Sequence, residues 1–441
     1  MQSLQAWRGS LLRFSADPGS GDSGHEYFTD GLLLIEAGRI AGAGPAESLL
    51  RDLPRDLPVT DCSGKLILPG FVDNHIHFPQ IDVIGSGGRE LLDWLETHTF
   101  PAERRYADTA YAAAAAEDFL DELLRNGTTT AMVYCTMHVG ATNAFFAAAR
   151  ARGLRMIAGK VLMDRNCPEY LRDPPGGGLT ETRELIARWH GVDRLGYAVT
   201  PRFAASSTEA QLAGAGLIAR EHADVFIQTH LAENHAEIAW TRQLYPAARS
   251  YLDIYERFGL LRERAIFAHC IHMDHADRQH MAHAGAAAAF CPTSNLSLGS
   301  GLFDIAATDA AGLRFSIATD VGGGTSFSQF RSMDEASKVA MLKGQYLSPL
   351  RAFYLSTLGA ARALGLEDRI GSLATGTEAD FIVVDPDAIP LLARRRAQST
   401  SLTELLRLLI TLGDERVIHA TCSLGVPQRY RAAERTPNTA K

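Results

Sequence analysis

Eight short apolar runs, each followed by a loop and an amphipathic or alanine-rich helical stretch, set the tightest limit on this fold. The runs occupy residues 66–77, 128–134, 155–163, 195–200, 225–231, 265–269, 286–291 and 314–320. Between them lie good helix formers, such as 108–125, closed by Asn126-Gly127, and 208–222. Strand-like runs alternating with helices predict a parallel sheet, and eight of them are what a closed (β/α)8 TIM barrel requires. A doubly wound open sheet is the competing architecture, because alternation alone does not show closure. That fold puts a glycine-rich turn after its first strand, and no such fingerprint follows the first run here.

Both chain ends have a different texture. Residues 32–44 alternate around a Glu36-Ala37-Gly38-Arg39 turn and read as a hairpin. Residues 370–388 and 416–425 return to alternation, so the two ends pair into a small β-sandwich domain with the barrel inserted between them. The expected division is 1–65 and 369–441 for the small domain and 66–368 for the barrel, and 441 residues suit one large barrel with an accessory part.

Forty-three basic against 51 acidic residues give a net charge of −8. The one basic cluster noted, Arg394 to Arg396, reads as a solvated face, which disfavours nucleic-acid and anionic-membrane partners. The N-terminus has no signal-peptide pattern and no segment offers ~18 consecutive apolar residues, so a cytoplasmic protein is expected. The six cysteines are scattered without a Cys-x-x-Cys pair, which argues against a disulfide framework and a thiolate zinc site.

In a (β/α)8 barrel the catalytic groups sit at the C-terminal ends of strands. His75 and His77 end the first run, Arg202 follows the fourth, His230 ends the fifth, His269 the sixth and Asp320 the eighth. On a strand, residues i and i+2 share a face, so His75 and His77 converge on one point. A lone histidine is more often structural or solvated, but four at strand ends with one carboxylate point to a shared metal site. His272, His275, His280 and His283 crowd a polar segment instead and are expected to face solvent. Nitrogen and carboxylate ligands suit zinc, and also iron or manganese. Glu233, three residues past His230, is placed to move protons over such a site.

The segments PGFVDNHIHFPQ, TPRF, THLAEN, AHC, CPTSNLSLGSGLF and TDVGGGTSFS, in that order, resemble the amidohydrolase superfamily and, within it, the barrel-type guanine deaminases. The tail segment GSLATGTEADFIVVD resembles that superfamily's return to its small β domain. The resemblance implies one zinc per chain held by His75, His77, His230 and Asp320, with His269 beside it. It implies that Asp320 takes a proton from water, that Glu233 protonates guanine at N3, and that Gln80, Arg202 and Phe203 recognise the purine. The substrate-facing set is then Gln80, Arg202, Phe203, His230, Glu233, His269 and Asp320, and the chain is expected to form a homodimer. The resemblance does not imply that Lys160 bridges two metals, and Lys160 is expected to be structural. The rivals are a related amidohydrolase deaminating or dechlorinating another heteroaromatic ring, and an inactive barrel kept as a binding protein.

Overall fold

Two sheets organise the chain in the computed structural model, which describes residues 4–430 apart from 20, 22, 52, 55, 56, 88 and 89. The outermost ends of the expected small domain, 1–3 and 431–441, lie outside the described residues.

The smaller sheet begins with β1 (Gln5–Phe14), β2 (His25–Glu36), β3 (Arg39–Pro45) and β4 (Val59–Pro69). Ala37 and Gly38, both at positive φ, make the two-residue turn between β2 and β3, as the hairpin reading requires. The chain then leaves for the second sheet: β5 (Phe71–His77), β6 (Thr128–Tyr134), β7 (Arg155–Gly159), β8 (Val161–Leu162), β9 (Gly196–Pro201), β10 (Phe226–Leu231), β11 (Ala265–His269), β12 (Ala287–Phe290) and β13 (Arg314–Ile317). It returns to the small sheet with β14 (Phe381–Val384), β15 (Ile418–Ser423) and β16 (Val426–Pro427). The small sheet runs in the order β16-β15-β14-β4-β1-β2-β3, so strands from both chain ends interleave in it. Its core gathers Trp7, Leu33, Ile67, Phe381 and Val383, with Trp7 meeting Phe381 edge-on at 5.2 Å.

The second sheet is parallel, in the order β13-β12-β11-β10-β9-β7-β6-β5, with β8 pairing beside β9. Its first and last strands meet. The His77 amide donates to the Val321 carbonyl at 2.8 Å and the Asp320 amide to the His75 carbonyl at 2.9 Å. These bonds close the ring that alternation could only suggest, and the fold is a (β/α)8 barrel with an added β domain. Strands such as β6 are buried along their whole length, as expected when helices cover a parallel sheet. Val72, Met132, Ile157, Phe226 and Ile266 fill the interior, and the helix Leu358–Leu364 closes the N-terminal end with Ala360, Ala361 and Leu364.

The first expected run, 66–77, is two strands. β4 stays in the small sheet to Pro69, and β5 enters the barrel from Phe71. Gly70 is the joint: a Cβ there would lie 2.2 Å from the Thr129 hydroxyl, so only glycine lets the chain pass this close to β6. The helices expected at 108–125 and 208–222 are Thr109–Arg125 and Glu209–Glu221, capped by the Asp108 and Thr208 side chains.

Candidate active site

The C-terminal rim of the barrel gathers the strand-end residues. His75 and His77 stand on β5, His230 on β10, His269 ends β11, and Asp320 follows β13. The Nε2 atoms of His75 and His77 are 3.3 Å apart, as are those of His77 and His230. Asp320 Oδ1 lies 3.2 Å from His75 Nε2 and 3.3 Å from His77 Nε2. Three imidazole nitrogens facing one another share no proton that could satisfy them all, and a cation resolves that crowding. Two ligands each about 2.0 Å from one zinc ion in tetrahedral arrangement lie about 3.3 Å apart, and that is the spacing of His75 to His77, of His77 to His230 and of Asp320 to both β5 imidazoles. The donor set therefore fits a divalent cation.

The electrostatics agree. Burial lowers the His77 imidazole to about 3 and, with the neighbouring histidines, holds His230 well below its ordinary range, so both rings stay neutral with a lone pair to offer. Burial alone would raise Asp320, but His75, His77 and His269 outweigh it and keep the carboxyl well below its usual range. His230 Nδ1 donates to the Arg202 carbonyl at 2.6 Å, which turns its Nε2 inward. Asp73, beneath the site, accepts from the His75 amide at 3.3 Å and the Thr319 amide at 3.2 Å, tying β5 to the segment that carries Asp320. His269 and Asp320 have left-handed φ angles of 69° and 51°, a strained backbone of the kind concentrated at working sites.

Glu233 is buried 3.3 Å from His269 Nε2 and accepts from the Ser300 hydroxyl at 2.9 Å. Burial, and then the charge of Asp320, push its carboxyl up to about 8, so it carries a proton at neutral pH. His269 Nδ1 pairs with Asn295 Oδ1 at 2.8 Å, leaving Nε2 toward Glu233 and, at 3.7 Å, Asp320. A pocket opens over these groups, lined among others by Gln80, Leu91, Trp94, Leu95, Arg202, Phe203, His230, Glu233, Glu237 and Asp320. Gln80 Oε1 accepts from the Gly322 amide at 3.0 Å.

Asn295 and Ser300 escape residue-type reasoning as supports of the site, although both lie inside CPTSNLSLGSGLF. Cys291 also comes near His75, His269 and Asp320. Its thiol donates to the Ala289 carbonyl at 3.4 Å and burial pushes its pKa well up, which makes it a poor thiolate ligand. Lys160 is held by Asp173 at 2.5 Å and Glu181 at 3.2 Å. His275, His280 and His283 are exposed, and His272 is half-buried against the Ser300 carbonyl.

A closed barrel with histidines and a carboxylate converging at its C-terminal rim, beside a protonated buried acid, defines a hydrolase of the metal-dependent barrel class. The chain belongs to the amidohydrolase family, whose model matches residues 66–425. It is 45% identical over 421 residues to the guanine deaminase of Escherichia coli strain K12, spanning 95% of this chain and 96% of that protein. A solved structure of E. coli guanine deaminase superposes with a TM-score of 0.95 at 44% identity, covering 97% of this chain and 100% of the other. The structure of guanine deaminase from C. acetobutylicum with guanine bound in its active site gives a TM-score of 0.88 at 28% identity, with 97% and 100% covered.

Proposed function

We propose that this protein hydrolyses guanine to xanthine and ammonia, acting in purine catabolism with one zinc ion per chain. The observation that carries this reading is the cluster in which His75 lies 3.3 Å from His77, His77 lies 3.3 Å from His230, and Asp320 lies 3.2–3.3 Å from both β5 imidazoles, opening into a pocket walled by Gln80, Arg202 and Phe203. The names of its relatives point to the same substrate.

When bound, the ion lowers the pKa of water from ~15.7 toward 7 and stabilises negative charge developing on the ring. The protein's own groups do the rest. Gln80 and Arg202 hold the polar edge of guanine while Phe203 packs on its face, which brings C2 over Asp320. Asp320 accepts the proton that water gives up as its oxygen bonds to C2. Glu233, protonated at neutral pH, donates to N3 and then helps pass a proton to the amino group, which leaves as ammonia when the C2–N bond breaks. His269, oriented by Asn295, stabilises the charge that forms at C2. Acid–base help of this kind contributes typically 10²–10⁴-fold.

Incubation of the purified protein with a panel of purines and pyrimidines, followed by ammonia release, tests the reading. Guanine yields xanthine, and adenine is rejected by roughly 10⁴ because it leaves the site's polar groups unpaired. No xanthine from guanine would sink it. In domain terms we read 66–368 as the catalytic barrel and 1–65 with 369–441 as the accessory β domain, with the small sheet carried on by β4 as far as Pro69. We place the protein in the cytoplasm as a homodimer without nucleic-acid or membrane partners. No helix among the described residues is long and apolar enough to cross a membrane, and sedimentation at twice 47.8 kDa checks the dimer.

A further inference from the structure

Arg202 faces the pocket, yet its guanidinium is almost fully buried and its charge has to be met inside the protein. The Nη1 atom donates to Glu103 Oε1 at 2.8 Å, across 99 residues of sequence, and Glu103 is as buried as its partner. The Phe100 ring lies 5.3 Å from the same guanidinium. Phe100 and Glu103 belong to one four-residue helix, Phe100–Glu103, which continues the segment that supplies Leu91, Trp94 and Leu95 to the pocket wall. Glu103 itself is not part of that wall. Arg202 Nη2 is buried and has no hydrogen-bond partner among the described residues. A buried donor left open costs free energy until an acceptor reaches it, and because Arg202 lines the pocket while the equally unpartnered Glu103 Oε2 belongs to a residue that does not, a pocket ligand is positioned to supply that acceptor to Nη2.

We infer that Glu103 is a specificity-determining positioning residue, which neutralises Arg202 and aims its open Nη2 at the carbonyl edge of an uncharged purine. The inference rests on the guanine reading above. Glu103 touches no substrate. It acts through Arg202: with the carboxylate on Nη1, the guanidinium serves as an oriented hydrogen-bond donor instead of a free cation seeking an anion. Because the Arg202 carbonyl also holds His230 Nδ1, the residue's backbone serves the metal ligand while its side chain serves the substrate.

Steady-state kinetics on the metal-loaded enzyme test this. Glu103→Gln raises KM for guanine tenfold or more with kcat within threefold and an unchanged metal content, and Glu103→Asp restores part of the lost affinity. Arg202→Met raises KM as well, and the double variant Glu103→Met with Arg202→Met is no worse than Arg202→Met alone. The double variant removes both charges together and so avoids an unpaired buried ion, which keeps the test available if Glu103→Gln does not fold. A Glu103→Gln enzyme with wild-type KM, or losses that add in the double variant, would overturn the inference. Wild-type enzyme that produces no xanthine would instead overturn the guanine reading on which it stands.

Discussion

Glu233 combines burial, the nearby charge of Asp320 and a hydroxyl donor on one carboxyl, which makes it the group whose removal separates chemistry from structure. Glu233→Gln keeps the metal and the fold and lowers kcat by ~10² or more, as metal analysis beside turnover measurement checks. Unchanged turnover would remove it from the mechanism. Lys160 invites the opposite expectation. Its amine is engaged by Asp173 and Glu181, so metal analysis gives one ion per chain, and a value near two would reject the structural role. Position past His230 singles out Glu233 in the sequence, but the partners that give each residue its role, Ser300 and Asp320 for Glu233 and Asp173 and Glu181 for Lys160, lie on other elements.

At the scale of elements, Asn234, the residue after Glu233, caps the helix His235–Leu244, and this capping holds Glu233 in place. Asn234 accepts from the Ala236 amide at 2.8 Å, while Glu237 reaches back to the amides of Glu233 at 3.2 Å and Asn234 at 3.3 Å. Burial raises the Glu237 carboxyl to about 7 although the Tyr251 hydroxyl donates to it at 2.6 Å. Below pH ~4.3 the folded and unfolded chains both keep this proton. Between there and about 7 the unfolded chain releases it while the folded chain retains it, so the stability Glu237 contributes falls as pH rises through that window and then levels. Thermal unfolding from pH 4.5 to 7.5 should therefore show the wild type losing stability relative to Glu237→Gln as pH rises, and parallel curves would contradict it. Close packing between strands predicts a second effect. A Cβ on Gly159 of β7 would lie 1.9 Å from the Ala198 carbonyl of β9, so Gly159→Ala lowers stability by about 3 kcal/mol, read from denaturant unfolding.

Over the whole molecule, the barrel and the small sheet are joined by a buried charge cluster. Glu378, just ahead of β14, accepts from Arg155 Nε of β7 and from Arg194 Nε, each at 2.9 Å, and Asp380 pairs with Arg194 as well. Removing one member leaves unpaired buried charge, so Glu378→Ala costs about 3–5 kcal/mol in urea unfolding. The cluster lies away from the pocket, so kcat of the folded fraction stays at the wild-type level.

Much of this architecture is legible in the chain because its causes are local. Strand runs alternating with helices, the Ala37-Gly38 turn and the i, i+2 placement of His75 and His77 follow from backbone period and turn chemistry. The fold and the strand-end histidines could therefore be read in advance. Closure of the ring, the division of 66–77 at Gly70, the hold of Asn295 on His269 and the pairing of Glu103 with Arg202 depend on contacts between residues tens to hundreds of positions apart. Sequence period decides which face a side chain takes. Which faces then meet, and which buried charge finds which partner, is decided by packing in three dimensions.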